Sequence, residues 1–187
     1  MRAVQDRGAG PALTGSTVAR RLTVVAAVAA VVVAVDQLTK AWAVEALEGG
    51  RTIDLVWTLR LRLVFNRGGA FGLATRLAPF FALAAVLVVL VLLRAGAATR
   101  DRRALVAIGL VAGGALGNVA DRALREGEGV LGGAVVDFVD VQWWPVFNVA
   151  DSCVVIGALL LAFVLAREPL PSSTGAGAVT EREGPGP

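Results

Sequence analysis

The sequence predicts an all-α membrane protein, a bundle of four transmembrane helices with a short outer segment of strand character. Hydrophobic residues make up 56% of the 187 residues, and the mean hydropathy of +0.71 is too high for a soluble domain of this length. The apolar residues, mainly Val, Ala and Leu, are gathered into four blocks of near-bilayer length. Between the first two blocks the pattern changes to the two-residue repeat of a half-buried strand.

Residues 1–21 are rich in Gly, Ala and polar side chains, carry Arg2, Arg7, Arg20 and Arg21, and are expected to form a flexible cytoplasmic tail. The first span, about 22–44, reaches membrane length only by running through Asp36-Gln-Leu-Thr-Lys40. Four residues apart on a helix, Asp36 and Lys40 share a face and neutralise each other. A cleaved signal peptide ending near Ala41-Trp-Ala43 is the rival reading of this stretch, and the ion pair counts against it.

In the outer β segment, about 52–70, Trp57, Leu59, Leu61, Leu63 and Phe65 alternate with Thr58, Arg60, Arg62 and Val64. It leads into Asn66-Arg-Gly-Gly-Ala-Phe-Gly72, a glycine-rich turn that permits close backbone approach. The second span is expected at 73–93, followed by a connection holding Arg94, Arg100, Arg102 and Arg103, cytoplasmic by the positive-inside rule. The third, 104–120, contains Gly109, Gly113, Gly114 and Gly117, which let neighbouring helices come close. The fourth covers 147–166, and residues 167–187 form a Pro/Gly/Ser-rich cytoplasmic tail. With both termini cytoplasmic, Asp36, Asp121, Asp137, Asp140 and Asp151 all fall near the outer boundary. Arg51, Arg60, Arg62, Arg67 and Arg76, in or near the outer segments, weaken the charge rule as support for this topology.

Composition also excludes chemistries. The chain has no His, so imidazole catalysis and His-ligated metals are ruled out. The lone Cys153 has no partner for a disulfide or metal site, and a net charge of +3 without a long basic run gives no sign of nucleic acid. No cofactor or metal is expected.

What remains is a set of acids at an apolar edge, where a carboxylate is paired, protonated or functional. The tetrapeptide Asn-Val-Ala-Asp occurs at 118–121, leaving the third span, and again at 148–151, entering the fourth. At the second copy Asn148 and Asp151 have the spacing of a capping box. Capping does not account for the first copy, which follows its apolar run, so the two together suggest the lining of a site.

Asp36-Gln-Leu-Thr-Lys40, Asn66-Arg-Gly-Gly-Ala-Phe71, Gly113-Gly-Ala-Leu-Gly-Asn118-Val-Ala-Asp121-Arg122, Val135-Val-Asp137-Phe138 and Phe147-Asn148-Val-Ala-Asp151-Ser152 resemble, in order, the motif set of the lipoprotein signal peptidase (signal peptidase II) family. The resemblance implies a four-helix bundle with a small extracytoplasmic β-cradle in the bacterial plasma membrane. It implies an aspartic endopeptidase that removes signal peptides from diacylglyceryl-modified prolipoproteins, cutting before the lipidated cysteine, with membrane lipid as a further partner. It puts the catalytic pair at Asp137 and Asp151, near the outer face. Supporting polar roles fall to Asp36, Lys40, Asn66, Asn118, Asp121, Arg122 and Asn148.

Local chemistry also bears on which acid partners Asp151. Asp121 adjoins Arg122 and is expected to form an ion pair with it. Asp137, flanked by Val135, Val136, Phe138 and Val139, is in a setting that favours holding a proton, and Asp140 points to the opposite face of the strand. Two other readings stay open: a peptidase using Ser152 with Lys40, and a transporter using the acids as ion ligands.

Overall fold

The computed structural model describes residues 15–67, 73–127 and 129–167. In chain order these form α1 (Gly15–Ala46), β1 (Thr52–Val56), β2 (Leu59–Asn66), α2 (Leu73–Ala98), α3 (Arg102–Leu124), β3 (Val135–Asp140) and α4 (Val149–Ala166), with one 3-10 turn at Glu48–Gly50. Among the described residues three stretches are long and apolar enough to cross a membrane: Thr17–Ala46, Arg102–Leu124 and Val149–Ala166. The Ala82–Ala98 part of α2 is a shorter apolar helix.

Helix α1 is already formed at Gly15, so residues 15–21, expected to be tail, are helical. Arg21 gives the physical reason. It is buried against α2, and its Nη1 donates to the Ala97 carbonyl at 2.9 Å, satisfying a terminal carbonyl that the α2 helix itself leaves open. The helix runs unbroken past Asp36 and Lys40 to Ala46.

The expected outer strand is a hairpin. Its turn falls at Trp57-Thr58, where Trp57 is 99% exposed and takes a left-handed φ of 49°. The three strands lie antiparallel in the order β1-β2-β3, with Val64 opposite Asp137, Asn66 opposite Val135 and Arg60 opposite Asp140. The sheet is seated on the end of α1 through Ala43, Leu47, Val136 and Phe138, reinforced by Ile53, Leu61 and Leu63. The glycine-rich turn expected at 66–72 lies beyond residue 67 outside the described residues.

Helix α3 fits between α1 and α4 because it is smooth on both faces. A Cβ added at Gly113 would stand 2.7 Å from the Val32 Cβ of α1, and one at Gly114 would overlap the Ala150 carbonyl of α4. This close approach brings polar groups of three helices and β3 to one end of the bundle.

Candidate active site

Two carboxylate clusters meet at that end. The first is built on Lys40, fully buried, whose three donors are all used: to Asp36 Oδ2 at 2.8 Å, to Asp121 Oδ2 at 2.8 Å and to Asn118 Oδ1 at 3.0 Å. The expected pairing of Asp36 with Lys40 is present. Asp36 also receives the Ala150 amide of α4 at 2.9 Å, and Asp121 receives the Val136 amide of β3 at 3.1 Å. One ammonium and two carboxylates thus bind α1, α3, α4 and the sheet together.

The expected ion pair of Asp121 with Arg122 is not formed. Asp121 pairs instead with Arg125, Nε to Oδ1 at 2.9 Å, because residues four apart on a helix share a face whereas adjacent ones diverge. Arg122 carries a buried Nη1 with no hydrogen-bond partner among the described residues. Gln37, passed over in the sequence, donates to Asp36, Asp121 and the Gly117 carbonyl, each at 3.2 Å. Its place beside Asp36, within the stretch Asp36-Gln-Leu-Thr-Lys40, was the signal. Arg125 could have been found from its four-residue spacing.

The second cluster is Asp137 with Asp151, and among the described residues no cation is paired with either carboxylate. Asn66 Nδ2 donates to Asp137 Oδ2 at 2.9 Å, and Asn148 Nδ2 donates to Asp137 Oδ1 at 2.8 Å. Asn148 also reaches the other acid: its backbone N–H donates to Asp151 Oδ2 at 3.2 Å, while its Oδ1 accepts from the Asp151 backbone N–H at 2.9 Å. This reciprocal pair is the capping box expected at the start of α4. One buried asparagine therefore holds both carboxylates, from a strand and a helix far apart in sequence.

Asn118 joins the clusters. Its Oδ1 accepts from Lys40 and, at 3.1 Å, from Asn148, which leaves Nδ2 facing Asp151 Oδ1 at 2.8 Å. The ammonium fixes the direction of this amide, since only the oxygen can face it.

The environment acts unequally on these acids. Burial pushes the Asp137 carboxyl up to about 6, the amide donors of Asn66 and Asn148 opposing the rise and the negative charge of Asp151 adding to it. Asp140, three residues on, faces the other way as expected. Gln142 N–H at 2.7 Å, with Arg60 and Arg62, holds its carboxyl below the usual range. It pins β3 to β2 and has no bond to the pair.

Ser152 and Lys40 do not form a nucleophile and base. The Ser152 hydroxyl donates to the Asn148 carbonyl at 3.1 Å, and the ammonium has no donor left over. Among the described residues no group of His, Cys, Asp and Glu is arranged to hold a metal. Beside Asp151 opens a mostly apolar cavity of about 530 Å³, walled by Trp143, Trp144, Phe147, Val155 and Ile156.

Known proteins resemble this chain over most of its length. The profile of the family described as Signal peptidase (SPase) II matches residues 28–167. A lipoprotein signal peptidase of Rhodococcus jostii is 50% identical over 135 residues, covering 72% of this chain and 68% of the relative. One from Mycobacterium avium is 43% identical over 154 residues, covering 79% and 84%. A solved bacterial membrane enzyme, determined by the in meso method at 1.9 Å, superposes with a TM-score of 0.66 at 30% identity, covering 76% of this chain and 92% of that one.

Proposed function

This chain belongs to the signal peptidase II family, and on that premise we propose that Asp137 and Asp151 are the catalytic pair with which it removes signal peptides from prolipoproteins. It is a bacterial membrane protein and an aspartic peptidase of the lipoprotein-processing type. The observation that carries the residue assignment is the pair of bonds from Asn148, one to each carboxylate, with neither acid in an ion pair among the described residues.

Asp151 sits in the first turn of α4, where the helix end stabilises negative charge, and it is the base. It takes a proton from a water as the water oxygen bonds to the scissile carbonyl carbon. Asp137, pushed towards protonation by burial, donates its hydrogen bond to the carbonyl oxygen and stabilises the developing oxyanion. The C–N bond then breaks, and the proton passes to the leaving amine. Neither a covalent intermediate nor a metal enters this sequence of steps. Asn66, Asn118 and Asn148 position the acids, while Asp36, Lys40 and Asp121 hold the elements that carry them.

The substrate is a precursor with a diacylglyceryl-modified cysteine, cut just before that residue. The apolar cavity beside Asp151 and its two tryptophans suit a substrate that stays partly in lipid. In this reading α2 also crosses the membrane, which makes four spans, both termini are cytoplasmic and the pair lies near the outer face.

The test is incubation of the purified protein with lipidated and unlipidated precursor peptides, with the cleavage position read by mass spectrometry. Cleavage before the lipidated cysteine is expected, and Asp137→Asn or Asp151→Asn is expected to lower its rate about 10³-fold or more. Either variant retaining near-parental turnover removes that residue from the mechanism.

A further inference from the structure

At the opposite end of the bundle from the acids lies a second cavity, about 460 Å³, lined by Arg20, Arg21, Arg100 and Arg102 together with Val24 and Leu105. It has no part in the chemistry above. We propose that it is a binding site for the phosphodiester headgroup of an anionic phospholipid.

Four arginines border one cavity, Arg21 buried and Arg20, Arg100 and Arg102 exposed at its rim, so the cavity mouth is a concentration of positive charge that attracts an anion. Among the described residues Arg20, Arg100 and Arg102 are in no ion pair. The nearest acid in sequence, Asp101, has its carboxylate directed to the Arg103 backbone N–H at 2.8 Å, where it caps α3. Arg21 is held in place by its bond to the Ala97 carbonyl, so the wall it forms between α1 and α2 is fixed before any ligand arrives. Guanidinium donors match the oxygens of a phosphate in both charge and geometry.

The apolar part of the lining selects between sources of that phosphate. Val24 and Leu105 are on α1 and α3, both of span length, and each lies further into its span than the arginines Arg20 and Arg102. A ligand filling the cavity therefore meets charge at one end and hydrocarbon at the other, as a lipid at the membrane surface does and inorganic phosphate does not. The positive-inside rule explains why arginines are near a span end. It does not explain their convergence on one partly apolar cavity.

The experiment is native mass spectrometry and thermal unfolding of the purified full chain in detergent, with phosphatidylglycerol, phosphatidylcholine or inorganic phosphate added. Phosphatidylglycerol is expected to remain as discrete adducts and raise the unfolding temperature. Phosphatidylcholine and millimolar phosphate are expected to do neither. The triple variant Arg20→Gln, Arg100→Gln, Arg102→Gln should bind phosphatidylglycerol at least tenfold more weakly, leaving Arg94 and Arg103 to keep this end of the bundle basic. The single variants Arg20→Gln and Arg102→Gln, each expected to weaken adducts by a smaller factor, serve if the triple variant does not accumulate. Unchanged phosphatidylglycerol binding in these variants overturns the site, and phosphate binding as tightly as the lipid overturns the lipid assignment.

Discussion

The two copies of Asn-Val-Ala-Asp have the same side chains at the same spacing, yet they contribute in opposite ways. At 118–121 the carboxylate is the structural member: Asp121 meets Lys40 and Arg125, and both of its oxygens are engaged by cations. The amide of that copy, Asn118, turns towards the second cluster. At 148–151 the carboxylate of Asp151 meets amide donors alone, and Asn148 links it to Asp137. The first copy ends a helix and the second begins one, so their side chains face different neighbours. A carboxylate held by ammonium and guanidinium is tied into the structure, whereas one held by neutral amides has no counter-charge bonded to it and remains available for chemistry.

Exchanging acid for amide in each copy breaks this contrast most sharply. Asp151→Asn is expected to lower turnover about 10³-fold while the protein still inserts and unfolds near the parental temperature. Asp121→Asn should do the reverse, leaving Lys40 and Arg125 short of a counter-charge at a cost of about 3–5 kcal/mol, seen as low accumulation in membranes. Lys40→Met has a loss of similar size, because Asp36 and Asp121 then face each other without the ammonium. Full accumulation of Lys40→Met would mean that the first cluster is not the clamp described above.

The pH dependence comes next in size. A pair that works with one shared proton loses that proton as pH rises through the Asp137 value of about 6, so kcat/KM, which reports the free enzyme, should fall above it. Asn66→Ala removes a donor that favours the charged form, and should move this fall to higher pH. Stability responds through the same group. Its folded value lies above the ordinary 3.8, so its stabilising contribution is complete below 3.8 and is lost as pH rises through about 6. Asp137→Asn escapes this loss, and should gain up to about 3 kcal/mol on the parent between acid and neutral pH. A pH-independent difference between the two would show that Asp137 is not the proton-holding member.

Much of this was legible in the sequence, for reasons tied to particular residues. Asp36 and Lys40 are one helical turn apart, the capping box of Asn148 and Asp151 is a local spacing, and strand parity separates Asp137 from Asp140. The glycines of α3 likewise announced close packing. Adjacency misled at Asp121, whose partner is Arg125, because a helix turns neighbouring side chains about 100° apart. The hairpin turn at Trp57 was hidden because the alternation around it suits one strand as well as two. The linking function of Asn118 and Asn148 depends on contacts between α1, α3, β3 and α4, and no local pattern records those.

The smallest expected effect sharpens the contrast from the side of a group that only looks reactive. Ser152 adjoins the catalytic aspartate and lines the cavity beside it, so a serine mechanism would be the natural competitor to the acid pair. Its hydroxyl, however, is bonded back to the Asn148 carbonyl one turn earlier, and that carbonyl also accepts the Ser152 backbone N–H at 3.3 Å. Ser152→Ala therefore leaves Asn148 with an acceptor still satisfied and with both of its bonds to the carboxylates intact. Turnover within about twofold of the parent and a stability change of about 1 kcal/mol or less are expected, measured by peptide cleavage and thermal unfolding. A loss comparable to that of Asp151→Asn would move the nucleophile onto the serine, and the amide-held acids would then be its support rather than the reacting pair.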